Sequence, residues 1–74
     1  MIARPAFNDL DKTWNRVFRT MYLAKARPDD EHGVWTISCV DHDGAVIAEE
    51  RVPLSLSVEE ALDAAEALCP VVAW

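Results

Sequence analysis

The sequence predicts a small α+β domain of two layers, in the order α-β-β-α, with two amphipathic helices packed on one antiparallel hairpin. Three observations carry that reading. Apolar residues recur at three- and four-residue spacing through Phe7, Leu10, Trp14, Val17, Phe18 and Met21. A strand–turn–strand pattern follows over 34–52, and Ser57-Val58-Glu59-Glu60 is a capping box. Seventy-four residues make one domain, residues 1–74. A chain this short buries only about 60% of its unfolded surface, which leaves a thin stability margin.

The first helix is placed near residues 8–24. Asn8 or Asp9 supplies a cap, because short polar oxygens accept the orphan amide hydrogens of a first turn. Lys12, Arg16 and Arg19 fall opposite the apolar stripe and give the helix a basic face. Its end is open, since Met21–Ala26 also reads as a strand, and Pro28 is the first firm stop.

After a polar loop at Asp29–Gly33, Trp35, Ile37 and Cys39 alternate with Val34, Thr36, Ser38 and Val40, which is the period of a strand. Asp41-His42-Asp43-Gly44 signals a turn into a second strand, Ala45–Val52. A three-residue loop pairs Cys39 with Ile47, Val40 with Val46 and Val34 with Val52, and sets Arg51 across from Trp35. A two-residue loop instead sets Glu50 beside Ile37. The first register matches more cross-strand pairs and is preferred.

The second helix starts at Ser57, where Glu60 reaches back to the cap and Glu59 and Glu60 sit well for the helix dipole. Val58, Ala61, Leu62, Ala65, Leu68 and Cys69 line one side; Glu59, Asp63 and Glu66 line the other, and Pro70 stops it. The tail Val71–Trp74 offers a third strand or a free apolar end. Two strands alone make a marginal sheet, so a further strand is expected from that tail, from Met21–Ala26 or from a second copy of the chain.

Cys39 and Cys69 are the only cysteines, too few for a disulfide framework. In apolar surroundings each reads as a small buried hydrophobe, with a Cys39–Cys69 bridge as the lesser alternative. Reduced thiols, no apolar signal stretch at the N-terminus and no run long enough to span a bilayer predict a cytoplasmic protein without membrane contact.

No motif for chemistry stands out. The clusters Asp29–His32 and Asp41–Asp43 lack zinc-ligand spacing, and a calcium loop beginning at Asp41 would put Val52 where a glutamate is needed. Cys39 and His42 are not aimed at each other by a strand running into a turn. The expectation is a non-enzyme with no catalytic residue, cofactor or metal.

Charge is sharply divided along the chain. Six of the seven basic side chains lie in residues 1–27, against Asp9 and Asp11 alone. Beyond them Arg51 stands against eleven acids, and the whole carries a net −6. Such asymmetry points to a surface that meets another macromolecule, or to two elements that meet each other. The acidic face is expected to carry Glu49, Glu59, Asp63, Glu66, Asp29, Asp30 and Glu31, with Trp74 as an apolar anchor for a protein partner of basic surface. A homodimer is the alternative, pairing the basic helix with acidic elements or exchanging tails. Weak nucleic-acid binding through Lys12, Arg16 and Arg19 is a further alternative, disfavoured by the acidic remainder.

The hairpin followed by "LSVEEALDAAEAL" resembles the second half of a double-stranded-RNA-binding domain. That family grips phosphate with lysines at the start of this helix; here Val58, Glu59 and Glu60 stand there, so the activity does not follow. The same stretch is similar in pattern to HicB-type antitoxins, which implies a self-associating or antitoxin-like protein. In size and charge the chain resembles the small acidic inhibitors of phages, anti-CRISPR and anti-restriction proteins among them. That likeness implies occlusion of a basic nucleic-acid groove.

Overall fold

The computed structural model describes residues 5–19 and 21–70. It holds one antiparallel sheet of five strands in sequence order, β1 (Ala6–Asn8), β2 (Thr13–Phe18), β3 (Tyr22–Asp29), β4 (Val34–Asp41) and β5 (Val46–Pro53), followed by one helix, α1 (Val58–Ala67). The expected α-β-β-α packing is therefore corrected: the described residues between 8 and 24 are strands and turns, β3 takes the strand alternative left open for Met21–Ala26, and one described helix covers one face of a meander.

The reason lies in local chemistry that competes with helix formation. Asn8 and Asp11 use their side-chain oxygens to accept the amides of Leu10 and Thr13, two residues on, at 2.9 and 3.2 Å. Such Asx turns bend the chain where a helix cap was expected. Lys12 and Arg19 adopt left-handed backbone (φ 57° and 54°), which no helix contains. Between these turns Trp14, Arg16 and Phe18 alternate with Thr13, Asn15 and Val17. Trp14 pairs with Ala26, Arg16 with Ala24 and Phe18 with Tyr22. The apparent helical stripe was a coincidence of spacing: Leu10 lies on a turn, 96% exposed, while Trp14 and Val17 point to opposite faces.

The β4–β5 hairpin forms with Gly44 at φ 85°. The preferred register holds only next to the turn, at Val40–Val46. A bulge opposite Cys39 then adds one residue, so Cys39 faces Ala48, Ile37 faces Glu50 and Trp35 faces Val52. Arg51 consequently pairs with Thr36 on the far face and does not lie on Trp35. Glu50 is tolerated beside Ile37 because β5 is the outermost described strand and the Glu50 side chain is exposed.

The second helix forms as expected. Ser57 caps it, accepting from Glu60 N–H at 3.1 Å, and the Glu60 carboxylate accepts from Ser57 N–H at 2.9 Å. Ala61, Leu62 and Ala65 are fully buried against Ala24, Ala26, Trp35 and Ile37. Alanines on both layers let helix and sheet approach closely, and Leu62 fills the space between them. Its burial alone contributes about 1.5–3 kcal/mol. Trp35 Nε1 donates to the Leu56 carbonyl at 3.0 Å and holds the connection that carries the chain from β5 over the sheet.

Cys39 and Cys69 are joined by a disulfide, which corrects the expectation of two free thiols. Both lie on the covered side: Cys39 faces the helix from β4, and Cys69 follows the C-cap Leu68. The pairing was masked in the sequence because the helix brings together two cysteines 30 residues apart. No described helix is long and apolar enough to cross a membrane.

Candidate functional site

The strand alternation splits the charged residues between two faces. On the covered face Arg16 extends from the middle of β2 under α1 and is only 3% exposed. Its three guanidinium nitrogens each donate to a different carboxylate: Nε to Glu66 at 2.9 Å, Nη1 to Glu59 at 3.1 Å and Nη2 to Asp63 at 2.5 Å. Residues 59, 63 and 66 stand one turn apart along one side of the helix, so a planar fork below them reaches all three. Burial would lower the Arg16 pKa. The hydrogen bonds and charges of Asp63 and Glu66 outweigh burial and raise it above its ordinary value.

This arrangement changes what the acidic helix can do. Glu59 and Asp63 remain 64% and 69% exposed at their outer edges, and Glu66 is 24% exposed. All three are oriented inward on a cation, so they hold the helix to the sheet instead of standing free as a docking stripe. Of the seven acids expected to form a docking face for a basic partner, these three are engaged by Arg16. Lys12, Arg16 and Arg19 do not share a face either: Lys12 and Arg19 occupy turns, with Arg19 5.3 Å above the Phe18 ring, and Arg16 is buried.

The other expected acids lie elsewhere. Asp29 ends β3 and accepts from the His32 backbone at 3.2 Å, and His32 Nδ1 stands 2.8 Å from its second oxygen. The His32 hydrogen bond holds the Asp29 carboxyl below its ordinary value. Asp30 and Glu31 are exposed in the same turn. Glu49 is exposed on β5, on the face away from the helix. Trp74 and the tail from residue 71 lie outside the described residues. Among the described residues no three His, Cys, Asp or Glu side chains gather into a metal-holding group.

The helix-free face carries a feature the sequence reading missed. Val17 pairs with Leu23, Leu23 with Val40 and Val40 with Val46, so four apolar side chains form one row across β2, β3, β4 and β5. No described helix covers it; Val17 is 52% and Val46 59% exposed, and Met21 and Ile47 lie exposed at the same end of the sheet. A shallow hollow there is bounded by Val17, Met21, Leu23, Val40 and Asp41. The next row is polar, Asn15, Lys25, Ser38 and Glu49, and the next runs Arg27, Thr36 and Arg51. Reading residues 8–24 as a helix, with Met21–Ala26 as a strand only in the alternative, hid this row.

No protein-family model, curated protein or solved structure matches this chain.

Proposed function

We propose that this domain is a non-enzymatic protein-binding module that docks a partner on the helix-free face of its sheet. The observation that carries the reading is the row Val17–Leu23–Val40–Val46, in register across four strands with no described helix over it, exposed at Val17 and Val46 and closed by its neighbours at Val40. Contiguous apolar side chains on a small soluble domain mark interaction sites far more often than isolated ones do.

Charge selects the partner. Asp41 at the end of β4 borders the apolar hollow, Asp43 is exposed in the turn that follows, Glu49 lies in the next row, and the whole chain carries −6. The partner is a protein presenting apolar side chains within a basic surface. Its approach is steered by the domain's negative field and its residence is set by the apolar row. The acids that steer are those of the turn and of β5; the helix carboxylates belong to Arg16. The Cys39–Cys69 bond supports a working place where disulfides persist, in place of the reduced cytoplasm expected from free thiols.

The test is affinity capture from the native cell extract with the wild-type domain and a Val17→Ser/Val46→Ser variant, followed by association rates for the captured protein. A protein retained by wild type and lost from the variant, associating more slowly as salt rises, is the expected result. Equal capture by both domains, or no protein retained by wild type, overturns the reading.

A further inference from the structure

We infer that β5 is a self-complementary edge through which two copies of this chain join into one continuous sheet, in a register set by Glu49 and Arg51. The contact uses the outer backbone edge of β5 and none of the side chains of the apolar row; Glu49 is the one residue it shares with the docking face. β5 closes one side of the sheet, and no described strand pairs with its outer side.

Backbone geometry fixes which residues can pair. Leu54 N–H donates to the Gly33 carbonyl at 3.0 Å, one step beyond the Val34–Pro53 pair that ends the β4–β5 ladder. Hydrogen-bonded and non-bonded positions alternate along an antiparallel strand. Val52, Glu50 and Ala48 therefore turn their backbone groups toward β4, and Arg51 and Glu49 turn theirs outward. A second β5 lying antiparallel about a two-fold axis must place outward residues opposite one another. Three registers do this near the strand centre. One sets Glu49 against Glu49 of the second copy, another Arg51 against Arg51. Only the third sets each Glu49 against the other copy's Arg51, so that the pair exchanges two backbone hydrogen bonds and brings opposite charges together on the helix-free face.

The same register places Ala48 beside the second copy's Val52 on the covered face, with the two α1 helices on one side of a ten-stranded sheet. Its unfavourable element is Glu50, which meets its own copy at the axis. Beyond this stretch the bulge at Ile47 and the missing N–H of Pro53 end the pairing, which confines the contact to Ala48–Val52 of each chain. Such a contact is well below the roughly 1,600 Å² of a standard stable interface, so the dimer is weak and depends on concentration.

Sedimentation equilibrium from about 10 µM to about 1 mM tests this, the range over which so small an interface assembles. Wild type is expected to move from monomer toward dimer. Glu49→Arg and Arg51→Glu each set like charges across the axis and are expected to weaken the dimer about tenfold, with an unchanged circular dichroism spectrum. Mixing the two variants restores dimer as a heterodimer, since each arginine of one chain then faces a glutamate of the other. Glu50→Gln strengthens the wild-type dimer. A monomer across the whole range, or a dimer unaffected by either single reversal, overturns the proposal, and so does a mixture no more associated than its components.

Discussion

Replacing Arg16 by methionine keeps the length and volume of the side chain while removing the buried cation. The Nε bond to Glu66 is the most enclosed of the three, since Glu66 is 24% exposed. A hydrogen bond to a charged group in such a place contributes about 1.5–3 kcal/mol. The Glu59 and Asp63 bonds end on carboxylates more than 60% exposed, so water screens them and each counts as a surface pair of about 0.2–1 kcal/mol. Methionine recovers part of the loss by relieving the desolvation of the guanidinium. The net expectation is a destabilisation of about 2–3 kcal/mol. For a domain of this length that lowers Tm by roughly 10–20 °C. Thermal unfolding followed by circular dichroism, with the disulfide intact, measures it. A Tm within about 2 °C of wild type would refute the reasoning, because it would mean that the three bonds add nothing beyond apolar packing.

Two further outcomes follow from the same structure. Reducing the Cys39–Cys69 bond, or replacing both cysteines by alanine, frees a loop closed across 30 residues. The chain-entropy model puts the loss at about 3–4 kcal/mol, read as a lower urea midpoint, and an unchanged midpoint would contradict it. Asp29 has a folded pKa below its ordinary value, so its contribution to stability is complete above the ordinary carboxylate range and is lost as pH falls through the lower folded value. Its carboxyl carbon, followed by NMR, should titrate at lower pH in wild type than in a His32→Ala variant, and identical midpoints would remove His32 as the cause.

The parts of the fold legible in the sequence are those whose signals are local. The Ser57–Glu60 capping box, the Pro70 stop, the period-two run of Trp35, Ile37 and Cys39 and the turn at Gly44 each depend on a few neighbouring residues, and each formed as read. What failed depended on contacts distant in sequence. Phe7 to Met21 satisfied a helical period by spacing alone, and only pairing with β3 shows Trp14 and Val17 on opposite faces. The bulge opposite Cys39 had no marker in Ile47 or Ala48 and moved every pair beyond it by one place. Glu59, Asp63 and Glu66 were seen to share one side of the helix, and the basic residues were seen to be concentrated in the first third of the chain. The step from there to Arg16 required reading Trp14-Asn15-Arg16-Val17-Phe18 as a strand, which puts a single arginine among apolar neighbours and so demands a buried partner. Strand alternation in Val17, Leu23, Val40 and Val46 would then have exposed the apolar row as well.

Arg16 inward, beneath the helix acids, is the arrangement on which both the two-layer packing and the relocation of the binding face to the opposite side depend. The guanidinium Nε–H of Arg16, observed by ¹⁵N NMR at neutral pH, reports on it directly. Exchange with water much slower than for the exposed Arg27 and Arg51, and a clear shift of the Arg16 signal in a Glu66→Gln variant, are the predicted results. An Arg16 signal that exchanges as fast as those of Arg27 and Arg51 would contradict the account.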